Sequence, residues 1–232
     1  AAALDIASAV SALANSTKVS KNAMQDVRRL TRLTEEQAVD LFCAMGLHPA
    51  LLESPPRRQL LTVIMAMQDD ERGGLKNMAR LAKSLAAVRT WKIPEVEERF
   101  GLMAESLARQ HNVATTPSKA YLALLTFFVH RNVADCGPPV RALCGVLQRK
   151  VGGMSIRSAL RLLELLVLVG SAESCHTLAR QVLGLFTPEA VAVAALADVA
   201  VLSAALDHFG VQDAALAENV VSRSVALAET EL

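Results

Sequence analysis

Aromatic side chains are scarce in this chain: one Trp, one Tyr and six Phe, 3% of the residues. β-Branched and aromatic runs alternating with period 2 are missing, which excludes a sheet as the main architecture. Cysteine is scarce too. The four (Cys43, Cys136, Cys144, Cys175) fit neither a disulfide framework nor a zinc-ligand spacing. They read as buried thiols acting as small hydrophobes in a reducing compartment. The most apolar stretch, residues 190–206, contains Asp198 and reaches only the short limit of a membrane span, so it reads as a buried repeat helix. No signal-peptide pattern follows Ala1. Dinucleotide-binding, P-loop and zinc-hydrolase signatures are absent. Net charge is nearly absent as well, at +1.

What the chain does have is Ala, Leu and Val. It is 52% hydrophobic over 232 residues, ample for a core built by close helix–helix packing. Gly and Pro fall between the periodic segments. An apolar helix, a short turn and a second apolar helix recur. The turns lie at Gly46-Leu47-His48-Pro49, Trp91-Lys92-Ile93-Pro94, Asn132-Val133-Ala134-Asp135, Val169-Gly170-Ser171-Ala172 and Gly210-Val211-Gln212-Asp213. With Leu47, Ile93, Val133, Ser171 and Val211 as markers, the steps are 46, 40, 38 and 40 residues. A period in that range predicts an all-α fold, an α-solenoid of about five helical hairpins of roughly 40 residues. One domain is expected over residues 1–232, with N-terminal helices in 1–33 and repeats in 34–232.

Helix signals place the elements. Residues 4–13 and 20–33 read as amphipathic helices, the second carrying Lys21, Arg28 and Arg32 opposite Val27, Leu30 and Leu33. Thr34 and Gln37 form a capping box that opens residues 35–45, and Gly46 stops that helix. Helices follow over 56–67, 75–89, 95–111, 118–130, 140–150, 156–169 (capped by Ser155) and 173–185. Thr187 caps a segment running to Phe209 with a break near Ala195, and residues 213–228 close the series. Residues 121–128, 162–169 and 191–206 are apolar on most faces, as central helices are.

The capped helix from Leu33 to Gly46 (LTEEQAVDLFCAMG) resembles the first helix of an octotricopeptide- or heptatricopeptide-type repeat. The segment from Phe186 to Val191, with 202–210 and Val211-Gln212-Asp213 after it, is similar to another copy. Such repeats occur in organellar RNA-binding proteins, including the RAP-domain and FAST-kinase-domain families. The resemblance implies a non-catalytic scaffold subunit of a mitochondrial ribonucleoprotein assembly. Its partners would be other protein subunits, with single-stranded RNA as a further candidate. No cofactor, metal, membrane or small-molecule substrate is expected. The alternative is a HEAT-like protein–protein adaptor without RNA contact.

Charge is polarised along the chain. Residues 72–92 hold six cations and no acid. Residues 181–232 hold Arg223 against seven acids. Arg72, Lys76, Arg80 and Lys83 fall within about an 80° wedge of one helix. Arg89 and Lys92 extend the stripe, and Trp91 has a ring that can stack on a base. The stripe reads as an RNA-tracking face, as a surface for an acidic protein, or as a solvated face with Trp91 packed between hairpins. Arg28, Arg29 and Arg32 form a second cluster. Arg149, Lys150, Arg157 and Arg161 form a third around Gly152-Gly153, where Ser155 begins a helix whose amides favour anions. Each of these reads as a phosphate contact or as solvated charge. The five histidines lie far apart, mostly at helix ends, and Cys175-His176 splays about 100° around a helix, a poor nucleophile–base pair. Glu97-Glu98 and Asp69-Asp70-Glu71 read as solvated first turns or cation holders. The acidic C-terminal third reads as a docking surface for a basic partner, with one end of the solenoid covered by another chain.

Overall fold

The computed structural model describes residues 34–67, 74–88, 91, 94–109, 117–131, 137–170 and 173–230. The helices expected over 4–13 and 20–33 lie outside them. The described residues contain eleven α-helices and no strand. These are α1 (Glu35–Met45), α2 (Pro55–Met67), α3 (Gly74–Ala86), α4 (Pro94–Arg109), α5 (Ser118–His130), α6 (Pro138–Gln148), α7 (Ile156–Val169), α8 (Glu173–Leu183), α9 (Pro188–Ala192), α10 (Leu196–Phe209) and α11 (Ala214–Thr230). A 3-10 turn, Val151–Gly153, precedes α7.

The caps do what their residue types dictate. The Gln37 amide donates to Thr34 Oγ1 at 3.3 Å, and the Thr34 amide donates to Gln37 Oε1 at 3.0 Å, so two orphan donors of α1 are satisfied reciprocally. Ser155 Oγ accepts from the Ser158 amide, Thr187 Oγ1 from Ala190, and Asp213 Oδ1 from Leu216. The expected break near Ala195 separates α9 from α10, and the Asp198 carboxylate accepts the Ala195 amide there. Gly210 ends α10 in the left-handed region at φ 56°, a conformation that side chains with a Cβ rarely adopt.

The chain divides into two compact units, with the boundary between Glu98 and Arg99. In the first, α1 packs against both α2 and α3. Its core holds Phe42, Met45, Leu60, Ile64, Met78, Leu81 and Leu85, all at most 1% exposed. In the second, hairpins pair α5 with α6, α7 with α8 and α10 with α11. Across the hairpins, α7 packs on α5 and α10, and α8 packs on α6 and α10. Phe100 and Phe127 meet edge to face in this core at 4.7 Å. The central positions of α5 and α7 explain why those helices are apolar on most faces. α10 differs from expectation. It is apolar all round, yet Leu196, Ala197, Ala200 and Ala204 are exposed, because α7, α8 and α11 cover only its inner side.

Candidate functional site

The 100° periodicity puts Lys76, Arg80 and Lys83 on one face of α3, as expected. Its surroundings were not legible in the sequence. α1 packs on α3 and brings three acidic groups to it. Lys76 Nζ donates to Glu36 Oε1 at 3.2 Å, Asn77 Nδ2 donates to Glu35 Oε1 at 2.9 Å, and Arg80 Nη2 donates to Asp40 Oδ1. The Lys76–Glu36 pair is mostly exposed and contributes little. Arg80 and Asp40 are each only about one-third exposed, so their charge-assisted bond is the firmer one. That hydrogen bond from Arg80 to Asp40 raises the Arg80 pKa further. Two of the three described cations of the stripe therefore already hold a carboxylate, which stands where a phosphate would. Lys83 is exposed to solvent.

Beneath this seam lies Arg57, fully buried and not singled out by sequence reading. Its guanidinium has no carboxylate partner among the bonds it makes. Nε donates to the Phe42 carbonyl at 3.2 Å, and Nη1 donates to the Leu52 carbonyl at 2.5 Å. Nη2 donates to Ser84 Oγ at 2.7 Å and to the Ser84 carbonyl at 3.3 Å. Its carbon sits 4.2 Å from the Phe42 ring centre and 5.6 Å from that of Trp91. Burial lowers its pKa to about 10, and the neighbouring Cys43 acts weakly the other way. Trp91 is 7% exposed. Its ring is a wall of this cation pocket, and a base cannot stack on it while the core is intact. The Cys43 thiol, beside the same cluster, is pushed up by burial, which outweighs the opposing pull of Arg80, Ser84 and Arg57. A thiol raised in this way is a weak nucleophile at neutral pH.

A helical-register signal for Arg57 was present. Arg57, Leu60, Leu61 and Ile64 follow i, i+3, i+4, i+7, and all four are buried. Arg58, one step round the helix, is exposed.

The third cluster is spread rather than convergent. Arg149 donates to the Ala108 carbonyl at 3.1 Å, and Lys150 Nζ lies 5.8 Å from the Tyr121 ring centre. Arg161 donates to Glu164 at 2.5 Å on the same helix. Arg157 is exposed in the first turn of α7, and Ser155 already occupies the Ser158 amide there. Arg28, Arg29, Arg32, Arg72, Arg89 and Lys92 lie outside the described residues, as do Asp69-Asp70-Glu71.

Cys175 faces the core at 1% exposure, whereas the His176 ring packs edge-on to Phe209 at 5.1 Å, so the two side chains do diverge. Among the described residues no group of three or more His, Cys, Asp or Glu side chains is placed to hold a metal ion. Nor is any helix among them long and apolar enough to cross a membrane. Comparison with family models, curated proteins and solved structures finds no match to the chain.

Proposed function

We propose that the chain is a helical-repeat scaffold: an α-solenoid of about five hairpins of roughly 40 residues, acting without catalysis. In this reading it is a subunit of a mitochondrial ribonucleoprotein assembly, concerned with RNA processing, editing or ribosome assembly. It holds proteins along its helical faces and RNA along its basic N-terminal half. The observation that carries the repeat reading is the packing order of the second unit. The first helices of successive hairpins, α5, α7 and α10, follow one another in contact, as do the second helices α6 and α8. Stacked hairpins produce contacts of this kind between neighbouring repeats, although α11 packs on α9 and α10 and does not extend the second row. The mitochondrial and RNA parts rest on the likeness of the segments at Leu33 and Phe186 to organellar repeats, a fold-level analogy.

A specific observation favours the second reading, a protein–protein adaptor without RNA. Lys76 and Arg80 already pair with Glu36 and Asp40, and Trp91 lies in the core. Pull-down from the native source with and without ribonuclease separates partners held by protein contacts from partners held through RNA. Partners retained after ribonuclease support a scaffold, whereas loss of every partner makes the chain an RNA reader. Recovery of no partner in either arm sinks both scaffold readings.

Charge reversal has to respect the seam. Lys76→Glu with Arg80→Glu sets new acids against Glu36 and Asp40 and should destabilise by about 1–2 kcal/mol, measured by urea unfolding. Adding Glu36→Lys and Asp40→Lys restores opposite pairs with the polarity exchanged and should recover most of that loss. RNA affinity is then compared in this fourfold variant, whose net charge is unchanged. Reading of the α3 stripe by RNA requires at least about a tenfold loss and a steep salt dependence. Affinity equal to the parent excludes Lys76 and Arg80 themselves as the RNA contacts.

A further inference from the structure

α11 has two apolar faces. Leu216 and Val220 are buried, turned toward the helices it packs on, α9 and α10. Val221 and Val225 are 61% and 53% exposed. At 100° per residue Ala214, Val221, Val225 and Ala228 fall within about a 60° strip, roughly 130° round the helix from Leu216 and Val220. A solvated helix has no use for a second stripe at i, i+7, i+11, i+14. The neighbouring α10 adds exposed Leu196, Ala200 and Ala204 on its own outer side.

The charge around these faces has one sign. From 187 to 230 the acids are Glu189, Asp198, Asp207, Asp213, Glu218 and Glu229, against Arg223 alone. The Arg223 guanidinium is turned onto the Ala194 carbonyl at 3.0 Å. Glu218 and Glu229, both exposed, flank the valine strip on one side. This field repels RNA and anionic lipid. It also disfavours a second copy of the same face, since a two-fold contact sets like charges together. A helix that pairs apolar residues at i, i+3/i+4, i+7 with flanking Lys or Arg satisfies both the strip and the acids.

We propose that the outer face of α11, with its Val221 and Val225 strip, is the docking surface for a positively charged amphipathic helix of a partner protein. This rests on the scaffold reading and assigns its partner chemistry at one face. The alanines at 214 and 228 leave room for close approach of the helix axes, and Val221 and Val225 supply the apolar anchors.

The test is fluorescence anisotropy of the full chain with a labelled 18-residue Leu/Lys amphipathic peptide, beside a Leu/Glu peptide of the same pattern. The Leu/Lys peptide should bind at least tenfold more tightly, and more weakly as salt rises. Val221→Ser with Val225→Ser keeps every charge and, at exposed positions, the fold, which circular dichroism verifies. It should weaken binding at least tenfold. Glu218→Lys with Glu229→Lys should weaken it as well. Unchanged affinity in the double-serine variant, or equal binding of the two peptides, overturns the proposal. A chain that is dimeric by light scattering and becomes monomeric with the two serines assigns the face to a second copy and overturns it too. The double-serine variant is also carried through the ribonuclease pull-down. Loss of partners in the parent as well sinks the scaffold reading, whereas full retention by the variant sinks only this face.

Discussion

Arg57→Ala should lower the free energy of unfolding by about 3–5 kcal/mol, read from urea denaturation. The side chain is fully buried, and its removal leaves a void lined by Phe42 and Trp91. It also strips the Leu52 carbonyl and Ser84 hydroxyl of a donor. A lone guanidinium in a dry core is costly, and here carbonyls and ring faces offset that cost in place of a carboxylate. Arg57→Lys separates charge from shape. The ammonium keeps the charge but has neither the planar fork nor the flat face that lies over Phe42, so a loss of about 2 kcal/mol is expected. A lysine as stable as the parent would mean that only the charge matters. Arg57→Met isolates the proton. Burial holds the folded pKa at about 10, below the ordinary arginine range. The unfolded chain therefore binds that proton more tightly, and the parent should gain stability relative to the Met variant as pH rises through and beyond 10. Below about pH 9 the difference should be flat.

The helices were legible because their signals are local. The capping box at Thr34, the serine before Ile156, the threonine before Pro188 and the break at Ala195 act over three or four residues, and each stands where spacing placed it. A helix end moved by a few residues where no cap fixes it, as at Ala86. The charged seam was not legible. Glu36 and Lys76 are 40 positions apart, and only the packing of α1 on α3 makes them partners. Reading each helix wheel alone left Lys76 and Arg80 as an open basic stripe. Trp91 was drawn toward a binding role because it follows that stripe in sequence, while its ring is held by a cation on α2, 34 positions earlier. Arg57 was passed over because arginine beside a Pro-Pro start resembles a solvated first turn, although its register matched the buried leucines.

Gly46→Ala should cost about 2–3 kcal/mol, against what its backbone conformation alone would give. Sequence reading took Gly46 as the residue that stops α1. The structure places it at φ −68° and ψ −16°, right-handed helical space that alanine adopts freely. On backbone grounds alanine should even stabilise, by about 0.4–1 kcal/mol through the unfolded chain. Space decides the sign instead. A Cβ there would lie 2.6 Å from Arg57 Nη2, 2.8 Å from Ser84 Oγ and 3.0 Å from the guanidinium carbon. The guanidinium cannot retreat, because Nε and Nη1 are fixed on the Phe42 and Leu52 carbonyls and its face lies over the Phe42 ring. Gly46 is thus the floor of the Arg57 pocket, and the two residues should be strongly coupled. In an Arg57→Met background the flexible thioether can yield, so Gly46→Ala should cost under about 0.5 kcal/mol there, a coupling of about 2 kcal/mol across the double-mutant cycle. A full loss in both backgrounds would place the cause in the backbone. A neutral Gly46→Ala in the parent would mean that the guanidinium moves freely, which is incompatible with four simultaneous bonds to carbonyls and a hydroxyl.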